Sequence, residues 1–187
     1  MLVKISDIAT VQSGIYLKEL PEGDAIYLQV KDFECLELTD NQLRQTVILS
    51  EKSSNHLLQE GDLLFAAKGT SNFCVKYPVE IGNAVASSAF FVIKINSNKV
   101  LPDFIAWFLN LPDTLSLLRS LSVGTSIPSI TKVMLEELSL NLPDIQTQKK
   151  VVEFSKLQKR ESELLTEISQ NRTLLNNALL KKLIKTN

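Results

Sequence analysis

Leu142-Pro143-Asp144-Ile145-Gln146-Thr147-Gln148-Lys149-Lys150 opens a segment that, after Pro143, runs to about Lys185 without a glycine or a further proline. Apolar residues then recur at Val151, Phe154, Leu157, Leu164, Ile168, Leu175, Ala178, Leu179 and Leu183. From Phe154 to Ala178 the steps are 3, 7, 4, 7 and 3 residues, the spacing of a coiled-coil seam. Roughly 42 residues at 1.5 Å each make a helix of about 60 Å. A small domain cannot cover so long a stripe, so the helix is expected to need a partner. Glu161, Asn171 and Lys182 interrupt the seam, which predicts weaker pairing without further subunits. The expected organisation is a globular head over 1–143 and a long C-terminal helix over 144–187, used for dimerisation and spacing.

Composition agrees with one domain plus an appendage. The chain has 187 residues, of which 44% are hydrophobic. Its N-terminus carries no signal-like apolar stretch, and no run approaches the ~20 residues of a membrane span. The expectation is a cytoplasmic protein without a membrane partner. Cys35 and Cys74 are widely separated, which favours two reduced, partly buried thiols over a disulfide or metal pair. Net charge is −1, unevenly distributed. Residues 1–143 hold 11 Lys+Arg against 16 Asp+Glu, whereas residues 144–187 hold 9 against 5. An acidic head argues against nonspecific nucleic-acid binding. It leaves room for a head that reads DNA with a few placed side chains.

Along the chain, Leu2–Ile5 reads as a short strand, with Ser6 or Asp7 capping a helical turn that Gly14 breaks. Ile26–Val30 is rich in strand formers. Glu60-Gly61-Asp62 forms a turn before the buried-strand candidate Leu63–Ala67. Val85–Ile95 reads as another central strand with Ser87-Ser88 inside it. Leu-Pro-Asp occurs at 101–103, 111–113 and 142–144. Each copy is read as a helix start, because proline lacks only an N–H that the first turn leaves unused and aspartate suits the positive helix N-terminus. Phe104, Ile105, Trp107, Phe108 and Leu111 are expected on one apolar face, and Leu115, Leu118 and Leu121 on another. Leu138–Leu142 alternates as a strand does. The fold class is therefore α+β, with short elements in the head and one long C-terminal helix.

Motifs for covalent chemistry are absent. There is no phosphate loop, no G-x-G-x-x-G and no G-x-S-x-G elbow. The Asn-Pro-Pro-aromatic tetrad of amino-methyltransferases is missing, and no Glu-x-Lys or Asp-x-Lys occurs to suggest a metal-dependent nuclease. His56 is the only histidine, so a zinc site is not expected and its role reads as surface or structural. Glu136-Glu137 suits a solvated edge better than an acid/base pair. The chain is expected to be non-catalytic. Two polar loops remain. Lys68-Gly69-Thr70-Ser71-Asn72 combines a cation, small donors and an amide, which suit phosphate and base-edge contacts and also an ordinary surface turn. Gly124–Thr131 divides in the same way between contact and helix capping.

Several segments, in order, resemble one half of a type I restriction–modification specificity subunit. They are Val3-Lys4-Ile5-Ser6-Asp7-Ile8-Ala9, Tyr27-Leu28-Gln29-Val30-Lys31-Asp32, Glu60 to Gly69, Ala86 to Ile93, Pro102 to Asn110, Gly124 to Ile130, and Leu142 to Gln148 before the helix ending Leu179-Leu180-Lys181-Lys182-Leu183. Each is weak alone, and their order is more specific. The resemblance implies a target recognition domain with a twisted mixed sheet, reading one half of a split DNA sequence. It implies a helix that spaces and docks methyltransferase subunits, with restriction subunits in the same system. S-adenosylmethionine is then expected on the methyltransferase and no cofactor on this chain. A typical member carries two recognition domains and two long helices, whereas this chain has one of each. The alternative is a coiled-coil adaptor whose head binds protein.

The resemblance and the loops together place expected DNA contacts at Lys68, Thr70, Ser71 and Asn72, with Lys31, Arg44 and Lys76 as weaker candidates and Gly124, Thr125 and Ser126 as a further loop. Phe154, Leu157, Leu164, Ile168, Leu175 and Leu179 are expected to form an antiparallel homodimer seam. Two identical heads on a rigid spacer would read a bipartite palindrome.

Overall fold

The computed structural model describes residues 1–39, 43–69, 71–122 and 129–185. In chain order the elements are β1 (Leu2–Lys4), α1 (Ile5–Ile8), β2 (Ala9–Ser13), β3 (Ala25–Leu28), β4 (Phe33–Glu34), β5 (Glu37–Leu38), β6 (Gln45–Val47) and α2 (Glu51–Ser54). Then follow β7 (Leu63–Ala66), β8 (Cys74–Lys76), β9 (Ala84–Ala86), β10 (Phe90–Ile95), α3 (Pro102–Leu109), α4 (Pro112–Leu121), α5 (Lys132–Glu136), β11 (Ser139–Asn141) and α6 (Ile145–Lys185). The α+β class and the long C-terminal helix are as the sequence predicts. The chain divides into two compact units, Met1–Gln148 and Lys149–Asn187.

Among the described residues, the head holds a four-stranded antiparallel sheet in the order β2-β10-β7-β8 and a mixed three-stranded sheet in the order β6-β3-β9. In the latter, β3 runs parallel to β9 and antiparallel to β6. Strand period 2 decides which side chains meet. Ile26 and Leu28 of β3 and Ala84 and Ala86 of β9 share one core with Leu64, Ala66, Phe90 and Val92 of the larger sheet. Ala25, Tyr27 and Val85, one residue out of phase, pack with Val47 in a second cluster. Every residue of β7 is buried, so its continuous apolar run marks a central strand covered on both faces. Phe33, Phe73 and Phe90 close the core with tilted and edge-on ring contacts 5.7–6.1 Å apart.

The expected single strand over Val85–Ile95 is two strands in two sheets. The chain turns at Ser87, whose N–H donates to Leu28 C=O (2.8 Å) and whose carbonyl accepts from Phe90 N–H (2.9 Å). Both halves are mostly apolar, and β9 is wholly buried, so local pattern carries little sign of the corner. Gly14 belongs to this corner and does not end a helical turn, since α1 stops at Ile8 and β2 follows. A Cβ on Gly14 would stand 2.1 Å from the Ser87 carbonyl oxygen, so only glycine lets the end of β2 pass there.

The helix starts at Pro102 and Pro112 fall where Leu-Pro-Asp predicts. Their buried faces differ in detail. In α3, Phe104, Ile105 and Leu109 are buried while Trp107 and Phe108 are half-buried. In α4, Thr114 and Leu118 face the core and Leu121 is exposed. The third helix begins one residue after Asp144, whose Oδ1 accepts from the N–H groups of Gln146 (2.9 Å) and Thr147 (3.0 Å). These bonds satisfy orphan donors of the first turn, and the Thr147 amide and hydroxyl hold the Asp144 carboxyl below the usual carboxylate range. The expected Leu138–Leu142 strand is β11, paired antiparallel with β1.

Strand β8 ends the four-stranded sheet, and Asn110, following α3, takes the place of a further strand. Its Oδ1 accepts from Cys74 N–H (2.8 Å) and its Nδ2 donates to Cys74 C=O (2.6 Å). An unpaired strand edge invites pairing with other chains, and this amide occupies it. Asn110→Ala is expected to destabilise the head by about 1–2 kcal/mol, since it leaves one donor and one acceptor of a buried residue without partners. Urea unfolding measures this; a midpoint equal to wild type would remove the edge-capping role. Cys74 is buried and Cys35 exposed, and both are free. Burial pushes the Cys74 thiol strongly upward, so it is inert toward thiolate chemistry. His56 is half-buried, with Nδ1 3.1 Å from Gln12 Nε2.

Candidate nucleic-acid interface

The first polar loop singled out in the sequence meets the described end of the second, at Ser129 and Ile130. Lys68 forms an antiparallel bridge with Ser129, and Ile130 N–H donates to Ala67 C=O (3.0 Å). The first loop leaves the buried end of β7 and returns into β8, so both its ends are fixed by the central sheet. Gly69 adopts φ +89°, a left-handed conformation that disfavours other residues. Lys68 and Ser71 are exposed. Thr70, Gly124, Thr125 and Ser126 lie outside the described residues.

Asn72, expected at a base edge, is held by three hydrogen bonds inside the loop. It is 7% exposed. Its Nδ2 donates to the carbonyls of Ala66 (3.1 Å) and Gly69 (3.5 Å), and its Oδ1 accepts from Arg119 Nε (3.1 Å). The amide therefore closes the loop from within, and its neighbour Phe73 anchors in the aromatic cluster. Asn72→Ala is expected to weaken any DNA binding to all sequences alike, with a loss of about 1–3 kcal/mol in fold stability from the groups left unpaired. A mutant that relaxes preference at one base position while melting like wild type would instead identify Asn72 as a base-reading residue.

The weaker candidates separate. Lys31 and Arg44 both line an open cleft of about 390 Å³, together with Gln29, Asp32, Thr39 and Thr46. Lys76 is held by Asp103 at the start of α3, Nζ to Oδ2 2.9 Å, so its charge is already matched. The same is true of Lys4 with Glu137 (2.5 Å), Lys94 with the buried Asp62 (2.7 Å) and Lys132 with Glu136 (3.4 Å). This pairing explains how an acidic head keeps its few cations from forming a broad basic face. Arg119, on the last turn of α4, escaped the sequence reading. No local pattern distinguishes it, because its link to Asn72 spans 47 residues.

Among the described residues no group of three or more His, Cys, Asp or Glu could hold a metal ion, and no helix is long and apolar enough to cross a membrane. On α6 the expected seam residues Phe154, Leu157, Leu164, Ile168, Leu175 and Leu179 are 40–62% exposed. Leu165, which falls on the same stripe, is 60% exposed.

Comparison with known proteins shows the family. Residues 1–173 match the type I restriction modification DNA specificity domain. The chain is 31% identical over 127 residues to the type I restriction enzyme HindI specificity subunit of Haemophilus influenzae, an alignment covering 66% of this chain and 28% of that protein. Its fold is similar to that of the M. genitalium type I S subunit, with a TM-score of 0.57 and 15% identity, covering 97% of this chain and 45% of that one. The HsdS subunit of Thermoanaerobacter tengcongensis gives a TM-score of 0.61 at 15% identity over 88% of this chain and 38% of that one. The chain thus spans less than half the length of these relatives. On the match over residues 1–173, the chain belongs to the type I restriction modification DNA specificity domain family.

Proposed function

We propose that this chain is a sequence-specific DNA-recognition subunit of a type I restriction–modification system, directing methyltransferase and restriction subunits to a bipartite site in cytoplasmic DNA. The observation that carries this reading is the corner where Lys68 pairs with Ser129, in a chain of the DNA specificity family. A polar loop held at both ends by a buried sheet suits recognition, because a rigid frame supports side chains that need not pack. The exposed Lys68 suits a phosphate, which positions the protein without reading sequence. Arg44 and Lys31 at the cleft remain candidates for further contacts.

The chain itself is non-catalytic in this reading, and S-adenosylmethionine is held by the methyltransferase partner. The exposed α6 stripe supports self-association as an antiparallel homodimer. Such a pair has twofold symmetry and would recognise two identical half-sites in opposite orientation.

Selection of the full chain against a random duplex library tests the reading. Enrichment of a bipartite palindrome is expected, and an asymmetric motif would overturn the homodimer. Absence of any enriched duplex would favour the coiled-coil adaptor. Lys68→Ala should then weaken cognate and scrambled duplexes similarly and lower the salt dependence by about one phosphate contact.

A further inference from the structure

We propose that Tyr16 and Lys18 form a second DNA-contacting element of this chain, set beside Lys68 at one end of the four-stranded sheet. The proposal rests on the DNA-recognition reading above. Strands β2 and β7 flank β10 and both run antiparallel to it, so the chain leaves both at the same end. Ser13 closes β2 opposite Phe91, and Ala66 closes β7 opposite Phe90. Two strand spacings separate these exits, about 10 Å, which is close to the ~12 Å width of a major groove. The turn before β10 joins them. Ile15 bridges Ser87 and its N–H donates to Ala86 C=O (3.0 Å), while Ala67 N–H donates to Ala89 C=O (3.0 Å). Tyr16 and Lys18 thus follow one exit, Lys68 follows the other, and the exposed Ser88 stands on the turn between them.

The segment after β2 is held so that these two side chains face out. Ile15 and Leu17 pack against the second core cluster, and Tyr16 and Lys18, out of phase with them, are exposed. The buried Tyr27 grips the backbone on either side of Tyr16. Its hydroxyl donates to Ile15 C=O (3.0 Å) and accepts from Leu17 N–H (3.4 Å). Tyr16 is 79% exposed, whereas every other aromatic residue of the head is at least partly buried. Its ring therefore adds little to the core and offers an apolar face with a polar tip to a ligand. Lys4, Lys76, Lys94 and Lys132 are each held by a carboxylate, whereas neither Lys18 nor Lys68 is ion-paired among the described residues. The carboxylate next to Lys18, on Glu19, accepts instead from Gln29 Nε2 (2.5 Å) at the cleft. An ammonium two residues from an exposed ring, on a fixed backbone, suits duplex DNA. The lysine fits a phosphate and the tyrosine fits the sugar or base edge of an adjoining nucleotide.

Tyr16→Ala, Lys18→Ala and the double variant, all in the full chain, test the proposal. Binding is measured against the selected duplex and a scrambled one over a salt series, and thermal melting controls for folding. Each single variant is expected to melt like wild type and to bind the selected duplex about 10-fold less tightly. The Lys18→Ala loss should be equal on both duplexes and should lower the salt dependence by about one phosphate contact. Equal loss on both duplexes for Tyr16→Ala identifies a sugar–phosphate contact, and loss confined to the selected duplex identifies a base edge. Wild-type affinity in the double variant, while Lys68→Ala still binds less tightly, overturns the proposal and leaves the DNA-recognition reading standing. Binding lost only in proportion to a lowered melt also overturns it. If the wild-type chain binds no duplex, the DNA-recognition reading fails and this proposal fails with it.

Discussion

Gln148→Ala should destabilise the head by about 3 kcal/mol or more, the largest effect expected of a single polar residue in this protein. Gln148 is fully buried. Its Oε1 accepts from Leu101 N–H (2.9 Å), and its Nε2 donates to the carbonyls of Lys99 (2.9 Å) and Pro143 (2.8 Å). One side chain thus satisfies three backbone groups, two of them in the segment that leads into α3. Truncation strands all three and opens a cavity. Each stranded buried group costs about 1–3 kcal/mol, and the cavity adds to that. Gln148→Met keeps the volume and removes only the hydrogen bonds, so it should recover the cavity part and no more. Urea unfolding followed by circular dichroism measures both. A loss below about 0.5 kcal/mol in Gln148→Ala would mean that other groups replace the amide.

Leu164→Glu combined with Ile168→Glu should abolish self-association and leave the head intact. The two side chains are 40% and 47% exposed, and they stand one turn apart on the apolar stripe of α6. Burying each against a partner helix is worth roughly 1.5–3 kcal/mol, and a buried unpaired carboxylate reverses the sign. Since about 1.4 kcal/mol is a factor of ten in affinity, the dimer dissociation constant should rise by at least about 100-fold. Leu174→Glu is the control. Leu174 is 66% exposed and lies about 100° around the helix from Leu175, off the stripe. Sedimentation equilibrium decides the matter: a wild-type chain that stays monomeric at high micromolar concentration would exclude the homodimer. Should the wild type dimerise and the double variant dimerise equally, the seam would lie on another face.

Much of this protein was legible along the chain, where the physics is local. Helix α6 follows from an uninterrupted run of helix-compatible residues with a coiled-coil period, and its start follows from Pro143-Asp144. The starts of α3 and α4 follow from the same dipeptide, and β7 from a short apolar run after a glycine turn. Order and spacing of such segments carried the family resemblance as well. What tertiary structure decided is what rests on bonds between distant residues. Ser87 turns a continuous β-like stretch into two strands because Leu28 and Gly14 receive the corner. Asn110 ends a sheet 36 residues away, and Lys76 is matched by Asp103 across 27 residues. Asn72 is polar and lies in a polar loop, and only the tertiary structure buries it and bonds it to Arg119 across 47 residues. Residue types specify which hydrogen bonds and charges are available; the packing of the sheets determines which of them face one another and which face solvent.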